Sequence, residues 1–141
     1  MRMYFQNALA VLIGIISGAV LNGFVIEVGN YFIAPPEGYD MSTPEGLNGA
    51  LKVMEVKHFI APFLAHAAGT LFGAFLTLLF VVDRKVLYAY VVSGIFFLGG
   101  LYMVIVLKAP MWFNVVDLVF AYLPMSWLAI QLHKRFFAKR R

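Results

Sequence analysis

Several things are missing from this sequence, and each absence limits what the protein can be. It has no cysteine, which excludes disulfides, thiolate metal ligands and a cysteine nucleophile. Only 13% of its residues are charged, whereas a soluble domain carries about 25%. It has no phosphate-binding loop, no His-Glu-x-x-His metal motif and no Gly-x-Ser-x-Gly nucleophile elbow. We therefore expect no catalytic residue, no cofactor and no enzymatic activity.

Long apolar sequence is what the chain has in abundance, with 62% hydrophobic residues. Four stretches each reach the ~20 residues that a helix needs to cross a bilayer. Their apolar runs are continuous rather than alternating, which predicts helices and not barrel strands. We predict an all-α fold, a four-transmembrane-helix bundle forming a single integral-membrane domain over residues 1–141. The predicted spans are Tyr4–Ile33, Phe59–Val82, Val86–Leu107 and Met111–Leu132.

The distribution of cations predicts the orientation. The first apolar run is too long for a secretory signal, so we expect a retained first span. With four spans, both termini and the turn at 83–85 lie on one side. The positive-inside rule then predicts a multi-pass protein of a bacterial inner membrane with both termini in the cytoplasm. That side holds Arg2, Arg84, Lys85, Lys134, Arg135, Lys139, Arg140 and Arg141, and the other side holds Lys52, Lys57 and Lys108.

The basic C-terminal segment, residues 133–141, has the composition of a nucleic-acid patch. Because it directly follows a span, we interpret it as a topology anchor that touches anionic lipid. The expected partners are the lipid bilayer and other membrane subunits or a second copy of the chain, and no nucleic acid.

The one substantial loop, Ala34–Lys57, is predicted to face outward. Thr43-Pro44-Glu45 is typical of a helix start, with Thr43 as the N-cap and proline at the first position. The apolar residues that follow recur at helical spacing. We predict a short amphipathic helix that lies on the outer membrane surface or over the mouth of the bundle.

Small residues recur four positions apart in the first two spans. Gly14 and Gly18 in the first match Gly69 and Gly73 in the second. Such spacing lets helix backbones approach closely, which matters in lipid. The glycines could pack the two helices of one chain together, could join subunits, or could be remnants of a repeat. In the fourth span, Pro124 should kink the helix.

Three ionisable residues inside the spans are the candidates for function. Glu27, His66 and Asp117 each lie about six or seven residues from the outer end of a span, roughly 8–11 Å deep. Isolated charges at that depth are costly, so we expect at least two of the three to meet. On its helix, however, Glu27 lies nearly opposite Gly14 and Gly18.

Four interpretations of this polar cluster remain open. It could be a structural cluster of hydrogen bonds that holds the helices together. It could also be a proton- or ion-handling site, because the pKa values of carboxylate–imidazole pairs depend strongly on their surroundings. It could bind a hard or borderline divalent metal through one histidine and two carboxylates. The three side chains could also point in different directions.

Part of the chain resembles a pattern in small four-helix bacterial membrane proteins. The resemblance rests on Pro35-Pro36-Glu37-Gly38-Tyr39-Asp40 followed by Thr43-Pro44-Glu45, on the spaced glycines of the second span, and on Trp112 with Pro124 in the fourth. It implies a four-helix inner-membrane protein and transfers no catalytic residue.

Taken together, the sequence favours a membrane protein that acts through helix–helix association, as an accessory subunit or small homo-oligomer. The alternative is a small proton- or cation-coupled transporter or channel that uses Glu27, His66 and Asp117. Small four-helix multidrug exporters also carry a glutamate in the first span. Glu27, however, lies near the outer end of its span rather than in the middle.

Overall fold

The computed structural model describes residues 1–137, which form helices and no strand. Four helical segments, Arg2–Phe32, Val56–Phe80, Lys85–Val106 and Met111–Phe137, are long and apolar enough to cross a membrane. This confirms the predicted all-helical fold with four long apolar helices. The cations predicted at Lys139, Arg140 and Arg141 lie outside the described residues. The α-helices are α1 (Arg2–Phe32), α2 (Pro44–Leu51), α3 (Ile60–Phe80), α4 (Lys85–Val106), α5 (Met111–Phe120) and α6 (Leu123–Phe137), with a 3-10 turn at Val56–Phe59.

Helix α3 lies at the centre of the bundle and packs against α1, α4 and α6. Its contact with α1 is very close, because glycines face glycines. A Cβ atom added at Gly14 would lie 2.5 Å from the Gly73 carbonyl oxygen, and one added at Gly18 would lie 2.5 Å from the Gly69 carbonyl oxygen. The small-residue faces of the first two spans therefore pack against each other within one chain.

The fourth apolar segment is interrupted at residues 121–122, between α5 and α6. Pro124 is the second residue of α6, where its missing N–H and ring prevent a continuous helix. The segment also runs to Phe137, five residues beyond the predicted span. Lys134 and Arg135 are good helix formers, so the helix continues after the apolar run ends.

Buried side-chain contacts join α1 to the turn between α3 and α4. Asn7 is fully buried; its side-chain oxygen accepts a hydrogen bond from the Val82 N–H (3.0 Å), and its amide nitrogen donates to the Asp83 carboxylate. The aromatic rings of Phe75 in α3 and Phe137 in α6 lie 6.4 Å apart. The beginning of α1 and the end of α6 therefore lie at the same end of the bundle, which we call the termini end.

The opposite end carries the loop between α1 and α3. Thr43 caps α2 by accepting a hydrogen bond from the Gly46 N–H (3.1 Å). Asn48 in α2 donates to the Val106 carbonyl (3.2 Å) and accepts from the Lys108 N–H (2.7 Å). These two bonds fix α2 against the end of α4, so the loop covers this end of the bundle.

Large apolar side chains form most of the outer surface. Helix α1 has 31 residues and buries only four of them. On its outward side, Phe5, Ile16, Val20 and Phe24 are each more than 60% exposed. Soluble monomers rarely expose contiguous apolar surface on this scale. The surface is consistent with a multi-pass membrane protein.

Candidate functional site

His66 and Asp117 form the central pair of the candidate site. His66 lies on α3 and Asp117 on α5, and the His66 Nδ1 atom lies 2.8 and 2.9 Å from the two carboxylate oxygens of Asp117. The Asp117 side chain is 6% exposed, and that of His66 is 27% exposed. An ionised carboxylate can only accept hydrogen bonds, so in contact with one the Nδ1 atom carries the imidazole proton and Nε2 is the nitrogen with a free lone pair. Among residues 1–137, no group hydrogen-bonds the His66 Nε2 atom.

Tyr122 completes the site from the break between α5 and α6. Its hydroxyl donates to Asp117 Oδ2 (3.0 Å), and its ring stacks on the His66 imidazole with centroids 5.9 Å apart. Gly100 on α4 makes room for this tyrosine, since a Cβ atom there would collide with the Tyr122 hydroxyl. The buried carboxylate is thus held between two side chains, which orients the imidazole in the way a buried aspartate orients a catalytic histidine.

The pair lies in the wall of a cavity of about 510 Å³ at the loop end of the bundle. This volume falls in the range of about 300–1,000 Å³ that holds small-molecule ligands. Residues from α1, α2, α3, α4 and α5 all contribute to the wall, which is mainly apolar. The apolar lining includes Ile26, Leu47, Leu51, Met54, Met103 and Phe113.

The charges around this cavity are of one sign. Within the described part of the chain, four ionisable side chains line it, Glu27, His58, His66 and Asp117, and no lysine or arginine does. His58 is already used in the 3-10 turn, where its Nδ1 atom accepts a hydrogen bond from the Glu55 N–H (2.9 Å). With neutral histidines, the lining therefore carries two negative charges and no positive charge.

The structure brings the three predicted polar residues to one cavity but does not bring all three into contact. His66 and Asp117 pair directly, so two of the three meet. Glu27 is exposed and lines the cavity, and the described residues include no hydrogen bond or ion pair from Glu27 to the other two. Within residues 1–137, no three His, Asp or Glu side chains are grouped closely enough to hold a metal ion.

Two residues that shape the site were not predicted from the sequence. Tyr122 reaches Asp117 only because the helix breaks beside it, and the signal for that break was Pro124 two residues later. Asn48 lies in the predicted amphipathic helix with no signal that marks its role, yet it ties the loop over the cavity. Of the adjacent glycines in the third span, Gly100 makes a close contact whereas Gly99 faces open space.

No protein-family model, curated protein or solved structure matches the chain.

Proposed function

We propose that this chain is a small multi-pass membrane protein that binds a small apolar cation in the cavity and exchanges it for a proton at His66. The observation that carries the proposal is the His66–Asp117 pair in the wall of an apolar cavity to which residues 1–137 contribute no lysine or arginine. The protein would belong to the inner membrane, with the termini end in the cytoplasm and the cavity toward the outer side.

The charge of the cavity argues for a cationic ligand. Glu27 and Asp117 supply negative charge, and the surrounding apolar wall keeps the local dielectric constant low. A metal ion bound directly by side chains fits less well, because residues 1–137 do not group three His, Asp or Glu side chains closely enough to hold one. An organic cation with an apolar body satisfies both features, because its body buries apolar surface while its charge faces the carboxylates.

The His66–Asp117 pair argues for proton exchange. Histidine ordinarily titrates between pH 5 and 8. A proton added at Nε2 would give His66 a positive charge that offsets Asp117 and repels a bound cation. Binding of the cation and binding of the proton would then compete, which is the minimal property of a proton-coupled exchanger. The other titratable groups that face the cavity are Glu27 and His58, with Tyr122 behind Asp117.

Equilibrium binding of tetraphenylphosphonium to the detergent-purified protein tests the proposal. This probe has an apolar body and one delocalised positive charge. We expect tighter binding at pH 8 than at pH 5.5. Removing one negative charge about 10 Å from the cation should weaken binding at pH 8 roughly tenfold, so Glu27→Gln and Asp117→Asn should each show this loss.

The matched control is Glu37→Gln. Glu37 is an exposed carboxylate in the same loop end and does not line the cavity. The Glu37→Gln variant should bind tetraphenylphosphonium as tightly as the wild type does. Binding that is insensitive to pH, or an equal loss in Glu37→Gln, would refute a cation site built from the cavity carboxylates.

Helix association is the second candidate function, and one observation favours it. The outward side of α1 is apolar and exposed over its length, and within residues 1–137 a Cβ atom added at Gly23 would meet no other part of the bundle within 4 Å. The faces of Gly14 and Gly18 are occupied by α3, so a subunit interface would have to use this outward side instead. Because the chain has no cysteine, a single Val20→Cys variant would test it. A disulfide-linked dimer in membranes, absent from the buried-site control Ala10→Cys, would support association through α1.

A further inference from the structure

A second cavity lies at the termini end, between α3, α4 and α6. Its volume is about 560 Å³. Part of its lining is basic and part is apolar. The basic residues are Lys85, His133 and Lys134, and the apolar residues include Leu79, Ile130 and Phe137. Residues 1–137 contribute no carboxylate to the lining, so their charge at this cavity is opposite to that at the loop end.

Two of the basic side chains, Lys85 and His133, are held in place by the fold. The Lys85 ammonium donates one hydrogen bond to the Leu78 carbonyl at the end of α3 (2.6 Å), which leaves two of its three donors free. The His133 ring stacks on Phe137 with centroids 5.2 Å apart. The nearest acidic residue in the adjoining turn, Asp83, is occupied by the Asn7 amide and lies 3.9 Å from the Arg84 guanidinium.

The beginning of α4 adds to the positive potential at this place. Arg84 occupies the N-cap position, and no side chain caps the N-terminus of the helix. Helix N-termini carry a partial positive charge and are normally followed by acidic residues, yet here the first residue is Lys85. Two basic residues at an uncapped helix N-terminus, beside a basic cavity, leave an excess of positive charge that an anion would offset.

We propose that this cavity binds the phosphate group of an anionic phospholipid. Lys85, His133 and Lys134 would meet the phosphate, and the apolar wall would meet the upper part of the acyl chains. Basic pockets between helices at the cytoplasmic side of membrane proteins are suited to such headgroups because that leaflet is anionic. The site is at the opposite end from the cation cavity, so the inference rests on the proposed orientation of the bundle but not on cation binding.

Native mass spectrometry of the full chain with added lipid tests the inference. The protein is mixed with equal amounts of phosphatidylglycerol and phosphatidylcholine, and the ratio of the two lipids retained is measured. We expect the wild type to retain phosphatidylglycerol preferentially. Lys134→Gln should reduce that preference about fivefold, which is the change in affinity expected from the loss of one lysine contact with an anionic lipid surface.

The matched control is Arg135→Gln, which removes an adjacent exposed cation that does not line the cavity. Its lipid preference should match that of the wild type. Lys85 donates a hydrogen bond to the end of α3, whereas Lys134 is exposed and has no such bond among the described residues. The Lys134→Gln variant should therefore fold as the wild type does. Equal preferences in Lys134→Gln, Arg135→Gln and wild type would overturn the site.

Inorganic phosphate separates a lipid headgroup from a free anion. If millimolar phosphate fails to displace phosphatidylglycerol, the acyl chains contribute to binding and the lipid assignment is supported. The lipid assignment would be overturned if phosphate displaced all of the bound phosphatidylglycerol and the wild type showed no preference for that lipid.

Discussion

Substituting Gly69 by alanine should force α1 and α3 apart. A Cβ atom at Gly69 would lie 2.7 Å from the Gly18 carbonyl oxygen and 3.1 Å from the Asn22 Cβ. Ordinary van der Waals contact begins at 3.4 Å, so the backbones would have to separate by about 0.7 Å at this point. The obstacle is a backbone carbonyl, which cannot move out of the way by changing rotamer.

The expected cost follows from two opposing effects. Overpacking a close contact by one methyl group costs about 1–3 kcal/mol. Alanine is better than glycine in a helix by about 1 kcal/mol, which offsets part of that cost. Gly99→Ala isolates the second effect, because Gly99 lies in the interior of α4 and an added Cβ there meets nothing within 4 Å. We therefore expect Gly69→Ala to be less stable than Gly99→Ala by about 1–3 kcal/mol.

Unfolding by added dodecyl sulfate in mixed micelles measures both variants on one scale. The two tryptophans, Trp112 and Trp127, and the far-ultraviolet circular dichroism report the transition. The prediction is a lower free energy of unfolding for Gly69→Ala and an unchanged or higher one for Gly99→Ala. Equal stability of the two variants would refute the close contact between α1 and α3.

Two smaller predictions concern the site and the outer loop. Tyr122→Phe removes the hydrogen bond to the buried Asp117 carboxylate and should lower the free energy of unfolding by about 1–3 kcal/mol. The control Tyr102→Phe changes an exposed tyrosine and should have little effect on the free energy of unfolding. A loss in Tyr122→Phe no larger than that in the control would show that this bond contributes nothing. In the loop, hydrogen bonds from the Ser42 hydroxyl and then from its N–H lower the pKa of Asp40, because they stabilise the ionised carboxylate. Ser42→Ala should therefore raise that pKa toward its ordinary value in a carbon-13 NMR titration, and an unchanged pKa would contradict the cause given.

The helical architecture could be predicted because it depends on sequence length and hydropathy. An apolar run long enough to span a bilayer predicts a helix wherever it occurs. Pro124 predicted a kink in the fourth one, where the structure has a break at residues 121–122. The continuation of α6 as far as Phe137 could not be predicted, since hydropathy indicates where an apolar run stops and not how far helical hydrogen bonding continues. The position of α2 depends on Asn48, whose partners lie 58 and 60 residues away in the chain.

The candidate site could be predicted in part. Equal depth in two spans was enough to indicate that His66 and Asp117 could meet. Depth alone does not give the direction of a side chain, and Glu27 faces the cavity without contacting the pair. Tyr122 depends on the local geometry of the helix break and on the space left by Gly100. Neither feature has a signature in composition or periodicity.

Proton release on cation binding tests the proposed exchange most directly. The purified protein is held in weak buffer at pH 6.5 with a pH indicator, and saturating tetraphenylphosphonium is added. Ordinary carboxyl groups have lost their protons at this pH, so release reports mainly on histidine. Competition at His66 predicts release from the wild type and from a His58→Gln control, and a greatly reduced release from His66→Gln. Binding of the cation with no proton released, or equal release from His66→Gln and wild type, would contradict the exchange at His66.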